Sequence, residues 1–554
     1  MIPARFTPER IAEYTRKGYW RPITFSHYWD RNALMFPDKE ALVDSTTRLT
    51  WAEAKRAIDR IALGLVELGI ERNEVALVQL PMSAENLLLR TALEKAGIIH
   101  LPVVRSYRHQ EMEHFAQRID AMALFIPWKL RGFDHFHMAQ ELRPNLPKLR
   151  HIIVAGNDVP QGAISLKEMM ATPLEQKYPP DFLESWRFQF NELSWMISTS
   201  GTTGTPKLIE HAPCHRVYQS EILSVVSRLT GDDVTAVLSP APTGPNNPAM
   251  FQAPMVGAKI VMLELWEPEE ALKLIEKEKV TVFGATPAQV ALMLNLPNFH
   301  RYNVSSMRLI TTTGSPLPYQ IARESEKKFG CPIINIFGTA EVGGMATFSP
   351  MDAPFEQRVL TVGQPMPGNE VRLVDDAGKD APRGEIGEVL FRGATIAPGF
   401  YNDPQRNKDE YLDVDWLKTG DQGKWDEHGN LMIVGRIKDI IKRAGQSMFP
   451  GEVENILFTH PRIAQVAVVG MPDPVLVEKA CAYVVPKPGA TFTFEEMTSF
   501  FKGKGIASFK IPERLEIVSE LPLVLGGSSM PKIDKKALRA DITAKLKKEG
   551  KISE

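Results

Sequence analysis

Short apolar strands alternating with amphipathic helices constrain this chain more than any other feature of its sequence. Between residues 75 and 103, Val75-Ala-Leu-Val-Gln-Leu80 reads as a buried strand and Ser83 as the cap of a helix carrying Leu87, Leu88 and Ala92. Gly97 stops that helix, and Ile98-Ile-His-Leu-Pro-Val103 reads as the next strand. The order returns at 268–284, with Pro268 at a helix start, Leu272 and Ile275 on its apolar face, and Val280-Thr-Val-Phe283 as a strand. Strands joined by helices of this length pair in parallel, and a parallel sheet needs helices on both faces. The expected fold class is therefore α/β, with no internal repeat or low-complexity tract to suggest a solenoid or a disordered arm.

The texture changes after about residue 384. Gly384-Glu-Ile-Gly-Glu-Val-Leu-Phe-Arg-Gly393 reads as a glycine-punctuated hairpin segment, and two more short strands are expected across 418–434. Beyond Gly435 the strand–helix order resumes on a smaller scale. Val453, Ile456 and Leu457 make a helical stripe, Val466-Ala-Val-Val469 a strand, and Thr493 caps a helix with Glu496 at capping-box spacing. The division expected is a large N-terminal domain over 1–434 with a β-rich subdomain, a connector at 435–440, and a small C-terminal α/β domain over 441–554. At 554 residues there is length for several such units.

Charge and cysteine usage remove several classes. Lys and Arg number 65 against 67 Asp and Glu, so the chain has no electrostatic footprint for nucleic acid or anionic membrane. Three scattered cysteines rule out a disulfide framework and a CxxC metal site, and fit a reducing compartment. The start lacks the apolar stretch of a signal peptide, and no apolar run reaches membrane-spanning length, so a cytoplasmic location is expected. The basic C-terminal tail reads as a solvated helix with a frayed end. His211 and His215 stand at i and i+4 without a third ligand nearby, and no Gly-x-Ser-x-Gly elbow is present.

Ser198-Thr-Ser-Gly-Thr-Thr-Gly-Thr-Pro-Lys207 is the segment richest in chemistry. Its glycines let backbone approach an anion, its hydroxyls and N–H groups donate to anionic oxygens, and Lys207 adds positive charge. It is not a Walker A loop, because the lysine follows Gly-Thr-Pro. A flexible Ser/Thr linker would explain the composition but not that lysine.

This string resembles the phosphate-binding signature of the adenylate-forming superfamily, which includes acyl- and aryl-CoA synthetases, peptide-synthetase adenylation domains and luciferases. Further matches follow in the family's order: Thr312-Thr-Gly-Ser-Pro-Leu-Pro318, Phe337-Gly-Thr-Ala-Glu341, Lys418-Thr-Gly-Asp421 with Gly435-Arg-Ile-Lys-Asp439, and Pro531-Lys-Ile-Asp-Lys-Lys-Ala-Leu-Arg539. The resemblance runs from about residue 25 to 540. Phe-Gly-x-Ala-Glu and Arg16-Lys-Gly-Tyr-Trp20 are similar to the branch of aryl-acid–AMP ligases that activate dihydroxybenzoate.

The resemblance implies an ATP-dependent carboxylic acid–CoA ligase that forms an acyl-AMP, releases pyrophosphate, and passes the acyl group to a thiol while the C-terminal domain rotates. It assigns the ATP phosphates to Thr199, Ser200, Gly201, Thr202, Thr203, Gly204 and Lys207. Adenine and ribose fall to Gly314, Ser315, Pro316, Phe337, Gly338, Thr339, Asp421 and Arg436. Mg²⁺ is assigned to Glu341, the catalytic cation to Lys532, the hinge to Lys438, and the coenzyme A side to Gly445. Expected partners are a small carboxylic acid, ATP and CoA; the acid, a carrier protein as alternative acceptor, a medium-chain acid as alternative substrate, and a homodimer all stay open. A nucleotide sensor with an inactive ligase fold is the reading from another class.

Three departures stand out. Ala340 replaces the threonine common before the motif glutamate, leaving Thr339 as the nearby hydroxyl. Ser239-Pro-Ala-Pro-Thr-Gly-Pro-Asn-Asn-Pro248 has no histidine where the aryl-acid branch places a His-Asn pair, so Asn246 is the expected substitute. Gly526-Gly-Ser-Ser-Met-Pro531 lengthens the loop before Lys532. Where acetate-activating members carry a tryptophan, this chain has Gly338; with Gly284, Ala285, Ala340, Gly343 and Gly344 also small, a roomy, largely apolar pocket is expected for an aryl or alicyclic acid. On that reading Gly338→Trp shrinks the accepted acids toward acetate.

Overall fold

The computed structural model describes residues 1–199, 206–239, 244–413, 415–443, 446–524 and 532–552, without the side chains of 446, 447, 524 and 532. Two seven-stranded sheets form its larger part. In one, Ile333–Asn335, Leu309–Thr312, Val282–Ala285, Val234–Val237, Lys259–Met262 and Glu40–Val43 lie side by side in parallel, closed by the antiparallel Arg48–Thr50. In the other, Trp195–Thr199, Ile99–Pro102, Val75–Val78, Ala123–Pro127, His151–Ala155 and Ile164–Ser165 run parallel, and Lys207–His211 adds an antiparallel edge.

Central strands such as Val75–Val78, Ile99–Pro102 and Ala123–Pro127 are buried at every position. Their alternate residues serve different cores: Ala76 and Val78 join one cluster, Val75 and Leu77 another. The first cluster also takes Val237 and Ile260 from the other sheet and Trp51, Leu88 and Leu93 from two helices, so those helices are packed between the sheets. The expected helix Ala84–Lys95 forms there, with Ser83 Oγ accepting the Asn86 N–H at 3.4 Å and Gly97 at φ +67° beyond its end.

The β-rich part is a five-stranded antiparallel sheet of Asn369–Val374, Gly387–Gly393, Trp416–Trp425, Tyr411–Leu412 and Leu431–Arg436. The segment read as a hairpin at 384–393 is one strand preceded by a turn, and its partner lies upstream at Asn369–Val374. After Leu431–Arg436 comes a single helical turn, Ile437–Asp439, and then Ile441–Arg443, which belongs to a separate sheet with Gln446–Met448, Val477–Pro486, Ile463–Asp473 and Arg514–Ile517. The helices Pro450–Phe458, Phe494–Gly503 and Lys535–Lys548 pack on that sheet through Val453 and Leu457, Met497 and Phe501, and Leu538 and Ile542. Thr493 caps its helix as expected, accepting the Glu496 N–H. No helix among the described residues is long and apolar enough to cross a membrane.

One buried carboxyl in this framework has a measurable signature. Glu210 on Lys207–His211 is 4% exposed and accepts the Ala4 N–H at 2.7 Å, and burial raises its pKa to about 7. Between its ordinary pKa near 4.5 and about 7, the folded chain holds a proton that the unfolded chain has lost, so this group costs stability as pH rises through that window. The full shift corresponds to about 3 kcal/mol. Glu210→Gln, which keeps the acceptor for Ala4, is expected to raise Tm at pH 8 and leave it nearly unchanged at pH 4.5; an equal effect at both pH values in thermal unfolding would contradict this.

Candidate active site

Four of the sequence-predicted segments emerge from the carboxyl ends of neighbouring parallel strands. Ser239 and residues 244–247 follow Val234–Val237, Gly284 and Ala285 end Val282–Ala285, Gly314, Ser315 and Pro316 follow Leu309–Thr312, and Phe337 to Glu341 follow Ile333–Asn335. In an open α/β sheet that edge is where ligands bind, because loops there can vary without disturbing the core.

The hydroxyl-rich loop joins this edge from the other sheet. Trp195–Thr199 and Lys207–His211 form a hairpin whose register sets Thr199 opposite Lys207. Ser200, Gly201, Thr202, Thr203 and Gly204 lie outside the described residues. Thr199 Oγ1 is buried and has no partner among the described residues, which suits an oxygen-rich ligand such as a phosphate. Lys207 Nζ stands 2.7 Å from Glu410 Oε1, 3.7 Å from Glu341 Oε1 and 5.5 Å above the Phe400 ring. Glu410, which also pairs with Arg406 at 3.2 Å, carries no motif that would have marked it in the sequence.

Glu341 sits on a turn closed by its own backbone. The Gly343 N–H donates to Ala340 O at 3.0 Å, the Gly344 N–H to Thr339 O at 2.9 Å, and the Ala346 N–H to Phe337 O at 3.1 Å. Thr339 Oγ1 accepts the Val342 N–H at 3.3 Å, so its own O–H remains to donate. The Phe337 ring stacks on Phe391 with centroids 5.8 Å apart.

The small residues of this region do not leave the room expected of them. A Cβ on Gly338 would fall 2.0 Å from Gly344 O, one on Gly284 1.8 Å from Pro245 O, and one on Gly343 2.1 Å from Thr395 O. These glycines let backbone segments touch, and Gly343 and Gly344 also have φ of +79° and +113°. Ala285 is fully buried and packs in the core on the far face of its sheet.

The asparagine expectation shifts by one residue. Asn246 is buried, its Oδ1 accepting the Ser239 N–H at 3.0 Å and its Nδ2 donating to Ser239 O at 2.8 Å, so its amide closes the loop it stands on. Asn247 instead lines a cavity of about 20 Å³ walled by Leu223, Ile334, Ile336 and Met345, with Ser349 beside it. The oxygen of Asn247 accepts from Arg216 at 2.7 Å. Arg216 and Gln219, both on the helix Pro213–Val226, donate to Gly343 O and hold the glutamate-bearing turn from beneath.

Asp421 and Arg436 are register partners, with Arg436 Nε donating to Asp421 Oδ1 at 3.2 Å. The charge of Asp421, and also that of Glu341, holds the Arg436 guanidinium protonated against its burial. Gly314, Ser315 and Pro316 are exposed. Lys438 lies in the turn Ile437–Asp439; burial lowers its pKa, and Arg539 Nη1 donates to its carbonyl at 3.0 Å. Lys532 pairs with Val524 in a two-stranded ribbon, its side chain outside the described residues, and Gly445 also lies outside them.

The model of the AMP-binding enzyme family matches residues 29–401, and that of the AMP-binding enzyme C-terminal domain matches 452–527. The chain is 30% identical over 545 residues to a 2,3-dihydroxybenzoate-AMP ligase of Bacillus subtilis (strain 168), covering 97% of each. It is 31% identical over 545 residues to a salicylyl-CoA synthase / salicylate adenylyltransferase of a Streptomyces species, again covering 97% of each. The crystal structure of an anthranilate CoA ligase in complex with anthranoyl-AMP superposes with a TM-score of 0.86 at 27% identity, over 95% of this chain and 98% of that one.

The contact at Gly338 replaces the pocket-filling expectation with another. Gly338→Ala and Gly338→Trp are both expected to push the turn off Gly344 and lower acid-dependent pyrophosphate release about tenfold or more with every acid, acetate included. A tryptophan variant that keeps its rate on acetate alone would restore the first reading.

Proposed function

We propose, for a chain that belongs to the AMP-binding enzyme family and is an AMP-forming ligase, that it activates an aryl carboxylic acid with ATP and then transfers it to the thiol of coenzyme A. A carboxylate is a poor electrophile because its charge is delocalised and oxide does not leave. In the first step the substrate carboxylate attacks the α-phosphorus of ATP, pyrophosphate departs, and the acid is left as an acyl-AMP whose phosphate can leave. In the second step a thiolate attacks the acyl carbon and AMP departs.

The observation that carries this reading is the placement of Lys207 3.7 Å from Glu341 at the carboxyl edge of the sheet, opposite Thr199, whose buried hydroxyl has no partner among the described residues. Lys207 and Thr199 bind phosphate oxygens, with Ser200, Gly201, Thr202, Thr203 and Gly204 of the same loop. Glu341 offers hard carboxylate oxygen, which fits Mg²⁺ completed by phosphate oxygens. That ion supplies charge neutralisation when bound. Asp421 binds the ribose hydroxyls and Arg436 steadies it, while Gly314, Ser315 and Pro316 present backbone to the adenine.

Lys532 is the cation that bridges carboxylate and α-phosphate, and its value lies in charge aimed where negative charge accumulates. Lys438 is the hinge about which residues 441–554 turn against 1–434, bringing Gly445 to the thiol side. Substrates of this kind, ATP and CoA together, place the chain in the cytoplasm. The relatives that act on dihydroxybenzoate and salicylate, and the neighbour holding anthranoyl-AMP, support an aryl acid.

A panel of carboxylic acids screened by pyrophosphate release tests the first step, and CoA or a carrier-bound pantetheine offered separately tests the second. Acyl-CoA formed without a carrier is the expected result; an adenylate that leaves only on a carrier contradicts the acceptor assigned here. Lys532→Ala is expected to slow adenylation by about a hundredfold or more while thioester formation from supplied acyl-adenylate stays within a few fold. Equal loss of both steps contradicts the role of Lys532.

A further inference from the structure

Lys207 is held by a carboxylate that lies outside every motif of the sequence. Its Nζ stands 2.7 Å from Glu410 Oε1, and the same oxygen accepts from Arg406 Nη1 at 3.2 Å. The side chains of Lys207, Glu410 and Arg406 are 13%, 25% and 18% exposed, so their charges are screened less than those of an open surface pair. Phe400 faces both cations, its ring centroid 5.5 Å from Lys207 Nζ and 5.9 Å from the Arg406 guanidinium. One carboxylate oxygen is thus shared by two cations.

The two cations are mounted differently. Glu410 ends the helix Pro404–Asp409, where its N–H donates to Arg406 O at 3.0 Å, and its carbonyl accepts the Lys418 N–H at 2.9 Å. Asp403 caps the start of that helix, accepting the Arg406 backbone N–H and the Arg406 Nε–H, each at 3.0 Å. Arg406 therefore belongs to the same helical turn as Glu410, one side of its guanidinium on Asp403 and the other on Glu410. Lys207 comes from elsewhere, the first residue of the strand Lys207–His211 at the end of the hydroxyl-rich loop. It reaches Glu410 on a flexible stem, and its 3.7 Å separation from Glu341 is too long for a hydrogen bond. Of the two cations on Glu410, Lys207 is the one free to leave.

We propose that Glu410 is a positioning residue that sets how tightly this site holds a triphosphate: it competes with the phosphate oxygens for Lys207, and Arg406 takes over its charge when Lys207 leaves. The inference rests on the reading of Lys207 as a phosphate ligand and deepens it. A carboxylate left without a counter-charge beside a triphosphate would repel it, and Arg406, already in place, lowers that cost. When pyrophosphate departs, Glu410 recovers Lys207, so the competition that weakens ATP binding also eases product release. An interaction of this kind acts on substrate and product alike.

The test is calorimetric binding of ATP and of pyrophosphate, each with Mg²⁺, to wild type, Glu410→Gln, Arg406→Met and the double variant. Glu410→Gln, which keeps the size of the side chain and an acceptor for Arg406, is expected to tighten both ligands by about five- to tenfold. Arg406→Met is expected to weaken both by a similar factor, because Glu410 then keeps Lys207 as its counter-charge. In the double variant the cost of losing Arg406 is expected to fall within about twofold, since Arg406 acts through Glu410. A merely structural role for the pair would weaken binding in all three variants. Glu410→Gln that leaves ATP binding unchanged or weaker, or an Arg406→Met loss that persists undiminished in the double variant, overturns the proposal. Where Arg406→Met does not fold, the sign of the Glu410→Gln change decides alone. Lys207→Met that binds ATP as tightly as wild type overturns the phosphate role of Lys207 itself, and this inference with it.

Discussion

A carboxylate and a phosphate must be brought to bonding distance, and their mutual repulsion sets the terms for the rest of the site. At 4 Å two like unit charges repel by about 4 kcal/mol at the effective dielectric of a protein surface, and by more as water is excluded. The chain answers with cations held in three different ways. Lys207 is shared between Glu410 and Glu341, Arg436 is paired with Asp421 across two strands, and Arg216 is buried with only neutral acceptors among the described residues. Lys207 is already matched by carboxylates, so on the function proposed here triphosphate binding exchanges one set of anionic oxygens for another.

The turn from Phe337 to Ala346 is where these demands meet. Its backbone closes through three hydrogen bonds, and Gly338 and Gly343 allow it to touch Gly344 O and Thr395 O where any side chain would collide. Arg216 and Gln219 hold it from the helix below. A turn fixed from both sides delivers Glu341 to a defined place relative to Lys207, which is the preorganisation that electrostatic catalysis requires. Because Arg216 also holds Asn247, the small cavity beside Asn247 and the turn of Glu341 share one support.

Much of this could be read from the chain, and the parts that could not have a common cause. The strand–helix alternation at 75–103 gave the parallel sheet and its capped helix, since apolar periodicity and capping are local properties. The motif segments were found by resemblance, and the fold sets them at the ends of parallel strands. Glu410 was invisible because it sits in an ordinary acidic run, and only the folded chain brings it to Lys207, some two hundred residues upstream. Asn246 and Asn247 are chemically identical neighbours; which one faces the cavity depends on how the loop closes on Ser239. Gly284 and Gly338 suggested space because smallness reads as room, yet smallness served backbone contact with Pro245 and Gly344. Arg216 had no sequence signal at all, its meaning residing in burial and in partners about 30 and 130 residues away.

The most direct measurement is a crystal structure of the chain with a non-hydrolysable salicyl-adenylate analogue. The account predicts the phosphate surrogate beside Lys207 and Glu341 and the ribose at Asp421. An analogue bound with its phosphate end away from Lys207 and Glu341 would contradict it.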